Sequence, residues 1–268
     1  MASPHEPPDR EEDLDEPSEE GEGSSRMSFL EHLEELRKRI IYSVYGIIAG
    51  CAVAFFFAVP LTHYLERYLT AFGGRLIFTE LMGGFMFFFK VGALSGLMLA
   101  TPIVLWQLWM FVAPGLYARE RRVVLPFVAS STLLFAAGVA FAHKVAIPSM
   151  LRFFASFESP YVDMRPNISD AFDFYVKMVL AFGIVFQMPI LVFFLARFGI
   201  VTAGFLWKHF RYAILIIFVI AAIATPTSDP VNQTIFAAPM IILYLISILV
   251  AKVFQKRPAR DDVDDADE

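Results

Sequence analysis

The chain has 268 residues, 57% of them apolar and only 18% charged, against about 45–50% and about 25% in a water-soluble domain. Its mean hydropathy is +0.59 and its 29 Phe outnumber its 27 acidic residues, which excludes an ordinary soluble globule. The net charge of -5 resides in two acidic tails, and the basic stripe that nucleic-acid binding requires is absent.

Residues 1–26 are acidic and Pro-rich (Pro4, Pro7, Pro8, then Glu11 to Glu22) and hold almost nothing to bury, so they read as a disordered tail. They lack the short basic stretch and apolar run of a cleavable signal. From Phe29 the pattern changes. Phe29, Leu33, Leu36 and Ile40 share one helical face, and Glu34 to Lys38 and Glu35 to Arg39 have ion-pair spacing. An amphipathic helix therefore leads into the first span, Ile40–Val59, where Cys51 is read as a small packing residue.

A bilayer core of about 30 Å needs roughly 20 apolar residues. Phe85–Leu105, Val123–Phe141 and Phe174–Ala196 also meet that requirement. Ala213–Ala224 and Ile235–Ala251 are shorter, and Thr225 to Pro230 between them has turn composition. The loops at 60–84 and 143–171 are long enough for short helices of their own. Residues 258–268 form a second acidic tail. The domain plan is thus a tail (1–26), a transmembrane domain (27–257) and a tail (258–268). The fold class is all-α: a polytopic membrane protein of six transmembrane helices, the last two short.

The loop cations set the orientation. With both termini on one side, that side collects Arg26, Arg37, Lys38, Arg39, Arg119, Arg121, Arg122, Arg197, Lys208, Arg211, Lys252, Lys256, Arg257 and Arg260. The other side holds only Arg67, Arg75, Lys144, Arg152 and Arg165. This excess predicts cytoplasmic termini. Pro102, Pro126, Pro189 and Pro239 lie within or at the ends of spans and predict kinks.

Few polar side chains fall inside the spans. Lys90 and Lys177 lie near the surface opposite the termini, where they can snorkel. Gln187 lies about midway along the fourth span, where an unpaired amide is costly; it either bonds across the bundle or faces a wet cavity. No catalytic residue, metal site or cofactor is expected, because the histidines lie outside the spans and no zinc or phosphate-loop motif occurs. The chain reads as a non-enzyme.

Three local patterns carry a family resemblance. They are His-Leu-Glu-Glu-Leu-Arg-Lys-Arg (32–39), the loop Trp109-x-Phe111-x-Ala113-Pro114-Gly115-Leu116-Tyr117-x-x-Glu120-Arg121-Arg122, and Ala181-Phe182-Gly183-x-x-Phe186-Gln187-x-Pro189. The turn Thr225-Pro226 through Asp229 to Gln233, followed by Ala238-Pro239-Met240, fits as well. From about Phe29 to Phe254 the chain resembles TatC, the receptor subunit of twin-arginine protein export. The resemblance implies a receptor for twin-arginine signal peptides of folded cargo, in a cell membrane, driven by the proton gradient. It also implies an oligomer with TatA- and TatB-type single-span partners. Glu35, Glu120, Arg37 and Phe111 then form the signal-peptide site. Gln187, Asp229 and Gln233 belong to the intramembrane region. Many family members carry Glu where this chain has Gln187, which cannot titrate. The rival reading is a small-solute secondary transporter lined by Gln187, Lys90 and Lys177, although no internal repeat supports it.

Overall fold

A computed structural model of the chain describes residues 20–71, 76–112, 121–157, 159, 165–224 and 229–254. Among the described residues, ten α-helices run in the order α1 (Glu20–Phe56), α2 (Ala58–Thr70), α3 (Gly83–Val112), α4 (Arg121–Phe141), α5 (Ile147–Ala155), α6 (Ile168–Val185), α7 (Met188–Arg197), α8 (Ala203–Lys208), α9 (Phe210–Ala224) and α10 (Pro230–Phe254). A π-helical turn, Ala142–Ala146, joins α4 to α5. Among the described residues, five continuous stretches are long and apolar enough to cross a membrane, and α9 is a shorter apolar helix. We call the end of the bundle that holds the N-terminal part of α1 and the end of α10 the near end, and the other the distal end. The chain crosses between them six times.

Some expectations change in detail. α1 begins at Glu20, inside the stretch read as the first tail. The fourth span is two helices, α6 ending at Val185 and α7 beginning at Met188. Pro189 explains the break, since its ring clashes with the carbonyl four residues earlier, that of Val185. The last helix is not short. α9 has 15 residues, about 22 Å, but α10 has 25, about 37 Å. Hydropathy stops at Ile235, whereas the polar first turn is stabilised locally: Pro230 suits the first helical position and Asp229 Oδ2 accepts the Asn232 amide at 3.0 Å. Of the last two helices, only α9 is therefore shorter than a bilayer core of about 30 Å. The two long distal loops do carry helices, α2 and α5, and a parallel bridge pairs Ile77 with Asn167.

In lipid there is little hydrophobic drive between helices, so close packing of small residues takes its place. Gly46, Gly50 and Ala54 form a stripe on α1, facing Gly92, Gly96 and Ala100 of α3. A Cβ on Gly50 would lie 2.5 Å from the Gly96 carbonyl oxygen, and one on Gly96 would lie 2.4 Å from Cys51 Cα. Cys51 is therefore a packing residue in this seam, with Sγ 3.9 Å from the Ala93 carbonyl oxygen. A second close approach joins α4 to α6, where a Cβ on Gly138 would meet the Phe182 carbonyl oxygen at 2.5 Å. Buried Phe87, Phe172, Phe182 and Phe236 fill the centre between α3, α6 and α10.

Lys90 does more than snorkel. Its Nζ lies 2.6 Å from Asp173 Oδ1, tying α3 to α6 near the distal end. Asp173 immediately precedes the apolar run that marked the fourth span, so its place beside Lys90 could not be read from periodicity.

Gly96→Leu is expected to destabilise the chain by about 1–3 kcal/mol or abolish folding, since overpacking cannot be relieved against backbone. Gly204→Ala, where an added Cβ meets nothing within 4 Å, should leave thermal unfolding in detergent unchanged; equal loss in both variants would overturn the account of the seam. For Lys90 and Asp173, whose side chains are 40% and 48% exposed, a double-mutant cycle with Lys90→Met and Asp173→Asn should give a coupling of only about 0.2–1 kcal/mol.

Candidate functional site

The near-end surface of α1 is built by helical spacing. His32, Glu35 and Arg39 recur at positions that share one face, and that face meets the end of α3. The His32 and Phe111 rings stack with centroids 4.6 Å apart. Arg39 Nη1 donates to Gln107 Oε1 at 3.3 Å, while its Nη2 donates to Glu35 Oε1 at 3.1 Å. The expected ion pairs both form, Glu34 with Lys38 at 2.9 Å and Glu35 with Arg39. A shallow cavity of about 390 Å³ lies over this face, lined by Glu31, Glu34, Glu35, Lys38, Arg39 and Tyr42.

Glu35 is half-buried, with a side-chain exposure of 33%. Arg39 occupies one of its oxygens. A carboxylate offers about four lone-pair sites, so Glu35 can accept further donors from a ligand without first losing Arg39. With three glutamates against Lys38 and Arg39, the cavity lining is net acidic, which suits a cationic partner. Arg37 is exposed on the other side of α1. Glu120 lies outside the described residues, as does the stretch from Ala113 that leads to it. Of the four residues expected to bind a signal peptide, Glu35 and Phe111 thus lie on facing helices.

Gln187, Asp229 and Gln233 are not part of that surface. Gln187 sits at the break between α6 and α7, and its Nε2 donates to the Ser131 carbonyl oxygen on α4 at 3.0 Å. This is bonding across the bundle, one of the two roles open to it. Asp229 caps α10, its Oδ2 also accepting from Asn232 Nδ2 at 3.1 Å. Gln233 Nε2 donates to the Phe218 carbonyl oxygen at 2.9 Å, fastening α10 to α9.

Sequence reasoning passed over His32 and Gln107, which hold Phe111 and Arg39 in place. The spacing of His32, Glu35 and Arg39 was a usable signal for one face of α1, but nothing in it named α3 as the partner.

Comparison with known proteins places the chain. Residues 31–239 match the family model for the Sec-independent protein translocase protein (TatC). A TatC from Koribacter versatilis is 46% identical over 231 residues, covering 84% of this chain and 85% of the relative. TatCy from Bacillus subtilis is 35% identical over 244 residues, covering 91% and 96%. A crystal structure of the twin arginine translocase receptor TatC superposes with a TM-score of 0.72 at 33% identity, covering 83% of this chain and 99% of that one. The family is one of protein translocation, not of catalysis. The chain therefore belongs to the TatC family of Sec-independent protein translocases.

Proposed function

We propose that this chain is the receptor that binds twin-arginine signal peptides of folded proteins at its near-end surface and starts their translocation. The observation that supports the reading is the net acidic surface around Glu35 on α1, one turn from His32, whose ring stacks on Phe111 of α3. Arginine stays charged and pairs with carboxylates through two parallel hydrogen bonds, so two adjacent arginines call for two acids. Glu35 supplies one and Glu120 the other. Each charge-assisted bond contributes about 1.5–3 kcal/mol at a partly desolvated surface. Arg37, exposed on the same helix, steers the peptide segments that flank the arginine pair, and Phe111 gives the peptide an apolar contact.

In this reading the near end faces the cytoplasm, both termini included, and the chain resides in the cell membrane. The excess of near-end lysine and arginine supports that orientation. TatA- and TatB-type subunits join it in an oligomer, and the proton gradient drives transport. Gln187, Asp229 and Gln233, which bond to backbone carbonyls or cap α10, hold the bundle in the shape those partners meet. Solute transport is the weaker reading, since Gln187 is engaged with the Ser131 carbonyl and Lys90 with Asp173.

Crosslinking of the detergent-purified chain to a twin-arginine signal peptide tests the receptor reading. Glu35→Ala, Glu120→Ala and a twin-lysine peptide should each lower crosslinking by about tenfold or more, the equivalent of one lost charge-assisted bond. Undiminished crosslinking in all three would remove the receptor mechanism.

A further inference from the structure

At the distal half of the bundle, far from the Glu35 surface, a groove runs between α3, α4 and α6. It encloses about 420 Å³, or about 880 Å³ with its open mouth. Its walls are apolar: Met98 and Pro102 on one side, Phe135, Ala136, Val139 and Ala140 on the other. Thr101 and Thr132 close the inner end, and Tyr64, His143, Lys144 and Tyr175 form the mouth. Along the chain from Thr132 to His143 the groove spans about 16 Å of helix. One leaflet of a bilayer core is about 15 Å deep. The groove thus has the depth of one leaflet, with its polar groups at the headgroup level.

The mouth is built rather than incidental. It sits on the π turn Ala142–Ala146, a geometry frequent at functional sites. His143 Nε2 lies 2.8 Å from the Tyr64 hydroxyl and Nδ1 lies 3.1 Å from the Tyr175 hydroxyl, while the Tyr68 hydroxyl donates to the His143 carbonyl oxygen. A neutral imidazole has one N–H and one acceptor nitrogen. With the proton on Nε2, Nδ1 accepts from buried Tyr175 and Nε2–H donates to Tyr64. The exposed Tyr64 hydroxyl then keeps its own proton for an outside acceptor. Lys144, exposed beside it, adds a cation.

We propose that this groove holds one acyl chain of a phospholipid from the distal leaflet, with the phosphate on Lys144 and the Tyr64 hydroxyl. Charge and size argue for a lipid over a peptide. The mouth offers donors and a cation, which suit a phosphate. The side walls offer no acceptors or donors to match a peptide backbone, and at the inner end only the Thr132 hydroxyl is unpartnered. A helix of the same length, at least about 10 Å across, would fill roughly 1,200 Å³, more than the groove and its mouth together. A single chain from an anchored headgroup fits, and it would cover apolar surface that α3, α4 and α6 leave open. This inference does not depend on the signal-peptide reading, because it concerns the opposite end of the bundle.

Native mass spectrometry of the full chain, delipidated in detergent and titrated with phosphatidylglycerol, tests it. The unaltered protein should hold one phospholipid tightly, and Lys144→Ala should weaken that binding about fivefold, the effect of one cation near a headgroup. Ala140→Trp, which fills the groove, should abolish it, with helical content and thermal unfolding in lipid-free detergent showing that both variants fold. Should Ala140→Trp not fold, a phosphatidylglycerol with a photoreactive acyl chain decides the matter on the unaltered protein. Labelling of Met98, Ala136, Val139 or Ala140 supports the proposal, and labelling confined to outer helix faces overturns it. Equal retention in every variant would mean ordinary annular lipid and overturn it. So would displacement by inorganic phosphate, which would make the mouth a free anion site, or displacement by a twin-arginine signal peptide, which would give the groove to the peptide.

Discussion

The near contact of two helix backbones, α1 and α3, is the constraint on which the rest depends. Their facing stripes of Gly and Ala bring backbone to backbone, and a single added Cβ at Gly50 or Gly96 would collide with main-chain atoms. In a bilayer such contact supplies the van der Waals attraction that hydrophobic burial supplies in water. It also fixes register. Once Gly50 is opposite Gly96, the near end of α1 has no freedom in what it meets. His32 arrives at Phe111 and Arg39 at Gln107. The position of Glu35 is therefore a consequence of packing that lies roughly 20 Å away, some four turns along the helix.

Among the described residues, the hydrogen-bonded polar groups of the spans are largely of two kinds, while the buried Ser131 and Thr132 hydroxyls have no partner. Ser43, Thr62, Thr101, Ser130 and Ser247 return their hydroxyls to the carbonyl four residues back in their own helix. This satisfies them locally and asks nothing of a neighbour. Gln187, Gln233 and the Lys90–Asp173 pair instead reach other helices. These few groups specify which helix neighbours which, a task that apolar surfaces, equally content with lipid, perform poorly. Gln187 has a special place among them. Pro189 breaks the helix at Val185, and the amide at the break stitches the interrupted span to α4.

The sequence was legible where a single helix carried the information. The spans, the distal helices, the two ion pairs of α1 and the packing role of Cys51 all followed from spacing and composition. What escaped was of two kinds. Local chemistry extended α10 through Asp229 and a polar first turn, which a hydropathy scale counts only against a span. Pairing between helices was the other: α1 with α3, Lys90 with Asp173, Tyr64 and Tyr175 around His143. Each needs a contact between residues tens of positions apart, and no periodicity within one helix encodes it. For the candidate site, Glu35 and Phe111 were named by family resemblance, while the contacts that join their helices, His32 on Phe111 and Arg39 on Gln107, had to come from the fold.

Charge is distributed along the membrane normal in a way that limits how the chain can work. Among the described residues, carboxylates lie at the near end (Glu31, Glu34, Glu35) or the distal end (Glu66, Glu80, Asp170, Asp173, Asp229). Among the described residues, the middle of the bundle carries Gln187, back-bonded hydroxyls and the unpartnered hydroxyls of Ser131 and Thr132. An amide holds a carbonyl but cannot exchange a proton, so Gln187 cannot serve as a carboxylate would at that depth. A proton-driven step that needs a midplane acid must find it on a partner subunit or on the cargo. In the function proposed above, this chain recognises the signal peptide at one surface and presents a bundle kept in register by glycine.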